Sequence, residues 1–147
     1  MELSCLIIKP DGIGKKNVGE IIKRLESEGL KLSAVKMLRP TRDDIEGFYA
    51  VHKGKHFFEA FVSFMLSGPI IVTAWKGPGV VSHIRKIIGA TNSKEAAPGT
   101  LRQLFGTDNR KNLVHASDSL ESAKSELAYF FKPSEIIDYD PDEWISK

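Results

Sequence analysis

A single cysteine, Cys5, is all the thiol chemistry in the 147 residues, so no disulfide can close within the chain. Its place in an apolar run predicts a buried, inert thiol, which suits a reducing compartment. Charge of one sign is equally scarce. Lys and Arg number 21 against 19 Asp and Glu, a formal net charge of +2, so the general pull toward nucleic acid or a membrane surface is weak and any anion site must be local. Long apolar runs are missing as well. Leu6-Ile7-Ile8 is cut short by Lys9-Pro10 and no cationic stretch precedes it, which predicts neither a signal peptide nor a membrane span, and a cytoplasmic protein. Repeats, low-complexity tracts and linkers are absent, with Pro and Gly scattered as turn punctuation. A chain this long can bury about 68–70% of its surface without staples, and the expectation is one domain over residues 1–147.

What is present alternates between two periods. Residues 3–9 read as a strand ended by a Pro10-Asp11-Gly12 turn, with a loop carrying Lys15-Lys16 after it. Asn17-Val18-Gly19-Glu20 has capping-box spacing, and Ile21, Ile22 and Leu25 mark an amphipathic helix stopped by Gly29. Residues 30–38 set Leu30, Leu32 and Ala34 against Lys31 and Ser33, the pattern of a half-exposed strand before Pro40. A helix opens at Thr41-Arg42-Asp43-Asp44 and reaches about Val51. After Gly54, the positions of Phe57, Phe58, Phe61, Val62, Met65 and Leu66 predict a second helix, so that the two form a hairpin. Residues 69–74 are apolar and β-branched, as in a central strand buried on both faces; residues 79–88 are helical and 90–98 a polar loop. A strand around His115, a helix over 119–131 and a tail with Pro133, Pro141 and Trp144 complete the order β-α-β-(α-α)-β-α-β-α, an α/β layered domain.

The densest chemistry lies in Asn112-Leu113-Val114-His115-Ala116-Ser117-Asp118-Ser119. With strand periodicity, Leu113, His115 and Ser117 share one face and Val114 and Ala116 the other, so imidazole and hydroxyl project side by side. Glu126 on the following helix can fold back and fix the imidazole tautomer, the arrangement of a positioned nucleophile. A strand histidine by itself is more often an ordinary half-buried residue. Elsewhere, Gly12-Ile13-Gly14-Lys15-Lys16 fails as a phosphate loop, because Lys9 stands where the first glycine belongs and no Ser or Thr follows Lys15. A dinucleotide fingerprint fails at Asn17. His52 and His56 are spaced i and i+4 but interrupted by Gly54, a poor metal site. Lys9, Arg85 and Arg102 each read alone as solvated cations. Together they are enough to meet the charge of a triphosphate, two of them with the planar fork that suits phosphate oxygens.

Ile7-Ile8-Lys9-Pro10-Asp11-Gly12, Asn92 followed by Pro98-Gly99-Thr100-Leu101-Arg102, and His115-Ala116-Ser117-Asp118-Ser119 occur in the order and spacing of the nucleoside diphosphate kinases. Val18-Gly19-Glu20-Ile21-Ile22, Phe57-Phe58, Ser67-Gly68-Pro69 and Gly89-Ala90-Thr91-Asn92 extend that resemblance over nearly the whole chain. The resemblance implies a ferredoxin-like, four-stranded antiparallel sheet (α+β) with helices on its faces and an inserted helical hairpin. It implies transfer of the terminal phosphate of a nucleoside triphosphate, mainly ATP, to a nucleoside diphosphate through a phosphohistidine at His115, with Mg2+ bridging phosphate oxygens and few protein ligands. Carried over by position, Glu126 and Ser117 orient the imidazole; Lys9, Tyr49, Arg85, Thr91 and Arg102 address the phosphates; Asn112 and Lys9 reach the sugar hydroxyl; Phe57 stacks the base. A homo-oligomer, with a hexamer favoured, is implied too.

Three positions depart from the family's usual pattern. Ser93 stands where a proline is common, Asn109-Arg110-Lys111 replaces an apolar residue, glycine and arginine, and Phe61 replaces an aliphatic residue, expected as a packing change only. A nucleic-acid-binding or regulatory module of the same fold is the rival reading. Against it, the aromatics fall at helical spacing rather than on a recognition strand, and His115, Glu126, Lys9 and Asn112 are all in place.

Overall fold

The computed structural model describes residues 2–49 and 54–145. Four strands, β1 (Glu2–Ile8), β2 (Lys31–Leu38), β3 (Ile70–Gly77) and β4 (Val114–Ala116), form one sheet in the order β2-β3-β1-β4. All three pairings are antiparallel. The helices are α1 (Pro10–Gly14), α2 (Val18–Ser27), α3 (Arg42–Phe48), α4 (Phe58–Leu66), α5 (Val80–Ile88), α6 (Leu101–Phe105) and α7 (Leu120–Phe130). This is the ferredoxin-like α+β arrangement, with α3 and α4 as the inserted hairpin, tied by Arg42 to Glu59 at 2.8 Å.

The period-two alternation of β1 divides the interior. Leu6 and Ile8 face one core with Ile21, Leu25 and Ile84 of α2 and α5, while Cys5 and Ile7 face the other with Ile45, Val62, Met65 and Leu127 of α3, α4 and α7. Since β1 lies between β3 and β4, every side chain from Cys5 to Ile8 is fully buried. β3 repeats the division, Ile71 and Trp75 on one side and Ile70, Val72 and Ala74 on the other. Thr73 lies between them, donating its hydroxyl to the Leu6 carbonyl at 2.7 Å and accepting the Trp75 indole N–H at 2.8 Å.

Several local expectations change. The Pro10-Asp11-Gly12 turn and part of the following loop are a short helix, α1, with Pro10 at its first position, where its missing N–H costs nothing. Gly12 is required there for space rather than for a left-handed backbone, because a Cβ would meet Ile8 Cγ2 at 2.9 Å. Asn17 caps α2 without a side-chain hydrogen bond, so the capping box expected there is not made; Thr41 and Asp44 make one on α3 instead. A bulge between Leu32 and Ala34 turns Ser33 inward against the alternation, and its carbonyl accepts the Ile137 N–H at 2.9 Å. β3 runs on through Gly77, and α6 forms where no helix is expected. α3 ends at Phe48 with Tyr49 as its cap, short of the expected Val51, and the His52 end of the histidine pair lies outside the described residues.

The Thr73 bridge yields a stability test. Thr73→Val keeps the shape and leaves the buried Trp75 N–H without an acceptor, so urea unfolding is expected to show a loss of about 1–3 kcal/mol. Thr73→Ser should recover most of it; equal losses for the two variants would assign the effect to packing.

Candidate active site

His115 sits on β4 opposite Ile7 of β1. β4 is only three residues long because Leu113 before it takes a left-handed backbone, φ 80°. That turn also corrects the expected facing: Leu113 packs into the core of Val114 and Ala116 rather than sharing a face with His115. Two bonds hold it, the Leu113 N–H to Asp11 Oδ2 and the Lys9 N–H to the Leu113 carbonyl, both 2.9 Å. Beyond the strand, Ser117 is locked to β1. Its N–H donates to the Cys5 carbonyl at 3.1 Å and its Oγ accepts the Cys5 N–H at 3.1 Å.

Ser119 starts α7 by accepting the Ser122 N–H, and one turn further on Glu126 returns to the strand. Its Oε1 accepts the Ser117 hydroxyl at 2.6 Å and its Oε2 contacts His115 Nε2 at 3.1 Å. A carboxylate only accepts, so this network assigns the proton to Nε2 and the lone pair to Nδ1. Phe48 and Tyr49 meet the imidazole edge-on, with ring centroids 5.4 and 5.5 Å away. The Tyr49 hydroxyl is buried rather than open to solvent, and burial pushes its pKa well up, with Cys5 and Glu126 nearby adding to the effect. Burial likewise pushes up the Cys5 thiol, as its place in the apolar run predicts.

The imidazole opens on a cleft of about 790 Å³ whose wall includes every candidate residue of the sequence reading except the buried Ser117. At its floor Lys9, 4% exposed, donates to the Arg110 carbonyl at 2.8 Å and to Asn112 Oδ1 at 2.7 Å. Burial lowers its amine to about 8, with Asp11 pulling the other way. Arg102, 8% exposed, gives Nε, Nη1 and Nη2 to the carbonyls of Asn112, Gly89 and Val114 at 3.1, 3.0 and 2.8 Å. Burial, and then Arg85 close by, lower it to about 10. Lys9 thus keeps one N–H, and Arg102 two, beyond these bonds. Asn112 has its amide turned inward, donating to the Thr91 and Asn109 carbonyls at 2.9 and 3.3 Å. Arg85, Thr91 and Phe57 are exposed on the cleft wall.

The sequence reading misses four contributors. Asp11 was assigned to a turn, and nothing local in sequence shows that it reaches Leu113. Asp108 folds the loop before Asn112 by accepting the Arg110 and Lys111 N–H groups, each at 2.8 Å, which holds its carboxyl below the usual range. Its signal is an Asp ahead of a polar run. Phe48 becomes visible only when α3 packs, and Asp118 joins the wall while accepting the Ser122 hydroxyl at 2.6 Å. Phe61 is more than a packing change, since it lines the cleft with its ring centroid 5.6 Å from Lys9 Nζ.

A family model described as nucleoside diphosphate kinase matches residues 2–136. A nucleoside diphosphate kinase of Chlamydia abortus is 50% identical over 137 residues, covering 93% of this chain and 97% of that protein. One of Cyanothece sp. is 44% identical over 147 residues, 99% of each. Among solved structures, the Aquifex aeolicus nucleoside diphosphate kinase superposes with TM-score 0.90 at 42% identity, over 92% of this chain and 99% of that one. A Halobacterium salinarum nucleoside diphosphate kinase in complex with CDP superposes with TM-score 0.93 at 38% identity, over 96% and 94%. With a histidine held by a carboxylate over a cationic cleft, and with these likenesses along its length, the chain belongs to the nucleoside diphosphate kinase family.

Proposed function

We propose that His115 carries the phosphoryl group through Nδ1, and that Lys9, Arg85, Thr91 and Arg102 bind the phosphates of donor and acceptor in turn. The supporting observation is the Glu126 carboxylate spanning His115 Nε2 and Ser117 Oγ, which leaves Nδ1 as the only ring nitrogen with a lone pair. In the first half-reaction a bond forms from Nδ1 to the terminal phosphorus of a nucleoside triphosphate, mainly ATP. The bond to the β–γ bridging oxygen breaks, and its electron pair leaves with the diphosphate. In the second, a terminal oxygen of the acceptor diphosphate attacks the same phosphorus and the pair returns to Nδ1. Positive charge developing on the ring is met by Glu126, itself oriented by Ser117.

Buried Lys9 and Arg102 offer their remaining N–H groups where water is scarce, which strengthens phosphate contacts, while exposed Arg85 adds a fork. Asn112 and Lys9 sit where a ribose hydroxyl can exchange for their mutual bond, and Phe57 stacks the base at the mouth. Tyr49, its hydroxyl buried, supports the imidazole by its ring edge rather than reaching the phosphates. Mg2+ would be carried chiefly by the phosphates, whose charge it would shield. Asp118, on the cleft wall, would be placed to accept a hydrogen bond from one of the ion's waters.

The whole chain serves as one catalytic unit in the cytoplasm, and among the described residues no helix is long and apolar enough to cross a membrane. It assembles with copies of itself, a hexamer built from dimers being favoured. Val35 and Met37 on edge strand β2 are 56% and 59% exposed, and Trp144 in the tail 56%, apolar area that self-association would cover.

Terminally labelled ATP should give an acid-labile, alkali-stable protein phosphate that GDP discharges. His115→Ala should abolish both labelling and exchange, leaving less than roughly a thousandth of wild-type activity. Glu126→Gln should lower kcat far more than it raises KM, because the carboxylate acts on the charge of the attacking ring; a pure KM effect would remove its orienting role.

Lys9 gives the pH dependence. Bound phosphate favours its charged form, so ADP affinity should fall as pH rises through about 8, by at most about tenfold per pH unit. Stability of the empty protein moves oppositely. Between about 8 and the ordinary lysine value the folded state holds fewer protons than the unfolded one, so this residue's contribution makes unfolding harder as pH rises. Calorimetric ADP titrations from pH 7 to 10 test this, and Lys9→Gln should flatten the profile. In sedimentation, a homo-oligomer is expected at micromolar concentration, and a monomer would overturn the assembly.

A further inference from the structure

Arg110 is a cleft cation whose backbone is fixed and whose side chain is uncommitted among the described residues. Its N–H is held by Asp108 Oδ1 at 2.8 Å and its carbonyl by Lys9 Nζ at 2.8 Å, so the root of the side chain is anchored from both sides. Among the described residues the guanidinium has no hydrogen-bond or ion-pair partner, yet it lines the cleft. Exposure distinguishes it from the buried floor, though its charge is felt at Lys9. Lys9, Asn112 and Arg102 are 4%, 4% and 8% exposed, whereas Arg110 is exposed like Phe57, which is 40% exposed at the mouth. A planar cation and an aromatic ring, both exposed on the wall of the same cleft, are the groups that can hold a flat, electron-rich ring.

We propose that the Arg110 guanidinium forms the second wall of the nucleobase slot, stacking on the base across from Phe57 and favouring purine over pyrimidine nucleotides. The preference follows from area, because the two fused rings of a purine cover more of a planar guanidinium than the single ring of a pyrimidine does. It rests on the assignment of Phe57 to the base and adds to it a residue that sets specificity. Stacking does not depend on the phosphate chain. The Arg110 charge is also felt at Lys9, so Arg110→Lys, which keeps it, should separate bases while leaving the affinity for phosphate alone untouched.

The test measures dissociation constants of ADP, CDP and inorganic triphosphate by calorimetry for wild type, Arg110→Gln, Arg110→Lys and Phe57→Ala, with thermal unfolding as the folding control. Expected for both Arg110 variants is a loss of roughly three- to tenfold for ADP, and for Arg110→Lys, which keeps the charge felt at Lys9, less than about twofold for CDP and no change for triphosphate. Lys keeps the charge but not the plane, so rescue of ADP by Arg110→Lys together with a loss of triphosphate in Arg110→Gln would mean a phosphate contact and overturn the proposal. Unchanged ADP in both Arg110 variants would also overturn it, making Arg110 a solvated side chain. The failure of the slot itself is distinguishable: Phe57→Ala would then leave ADP binding unaltered relative to triphosphate.

Discussion

The burial of two cations beneath the segment that leads into β4 is the constraint on which the site depends. Removing an ammonium and a guanidinium from water is costly unless their donors are met, and here backbone carbonyls meet half of them: Arg110 for Lys9; Gly89, Asn112 and Val114 for Arg102. Those bonds leave the positive charge unneutralised, as the lowered amine of Lys9 records. On the proposed function, an incoming polyphosphate supplies what the fold withholds. Stability and binding are therefore set against each other in the same residues, and the loop from Gly106 to Leu113 takes its shape from satisfying cations whose full neutralisation comes only with substrate.

The imidazole is positioned by the sheet itself and by two helices on one face of it. β1 holds Ser117 through its own main chain at Cys5, α7 brings Glu126 back over the strand, and α3 sets Phe48 and Tyr49 against the ring edges. Each support comes from a different element packed on the β1–β4 pair, so the imidazole orientation is over-determined. The strained residue lies just upstream. Leu113, left-handed and not glycine, is tolerated because Asp11 and the Lys9 main chain bind both of its peptide groups. That arrangement ties α1, otherwise remote from the chemistry, to the start of the catalytic strand.

The mouth of the cleft is less constrained than its floor. Phe57, Asn109 and Arg110 are exposed, and the loop that carries the latter two is folded by Asp108 rather than by core packing. Side chains there can change without disturbing the buried cations, which is why the Asn109-Arg110-Lys111 departure coexists with an intact floor. Ser93 is different. It is buried beside Gly106, where a Cβ would meet its hydroxyl, so the residue that replaces the common proline is built into the same loop packing.

Much of the molecule was legible because it is periodic or local. The alternation of β1, the apolar run of β3, the helical spacing of α2, α4, α5 and α7 and the order of elements follow from side-chain direction along a backbone, which a linear pattern records. His115, Ser117 and Glu126 could be placed together for the same reason, lying on one strand and the helix that follows it. Contacts across the fold left no such trace. Asp11 reaching Leu113, Cys5 gripping Ser117 and Phe48 bracing the imidazole join residues about seventy to over a hundred positions apart, or on elements that meet only on packing. The facing of Leu113 and the inward turn of Ser33 likewise involve hydrogen-bond partners supplied by distant chain. Sequence determined which chemistry is present and along which elements it runs; only the tertiary structure decided which cations are buried, which donors remain free and which ring nitrogen is left to react, because those outcomes depend on burial and on partners brought together by the sheet.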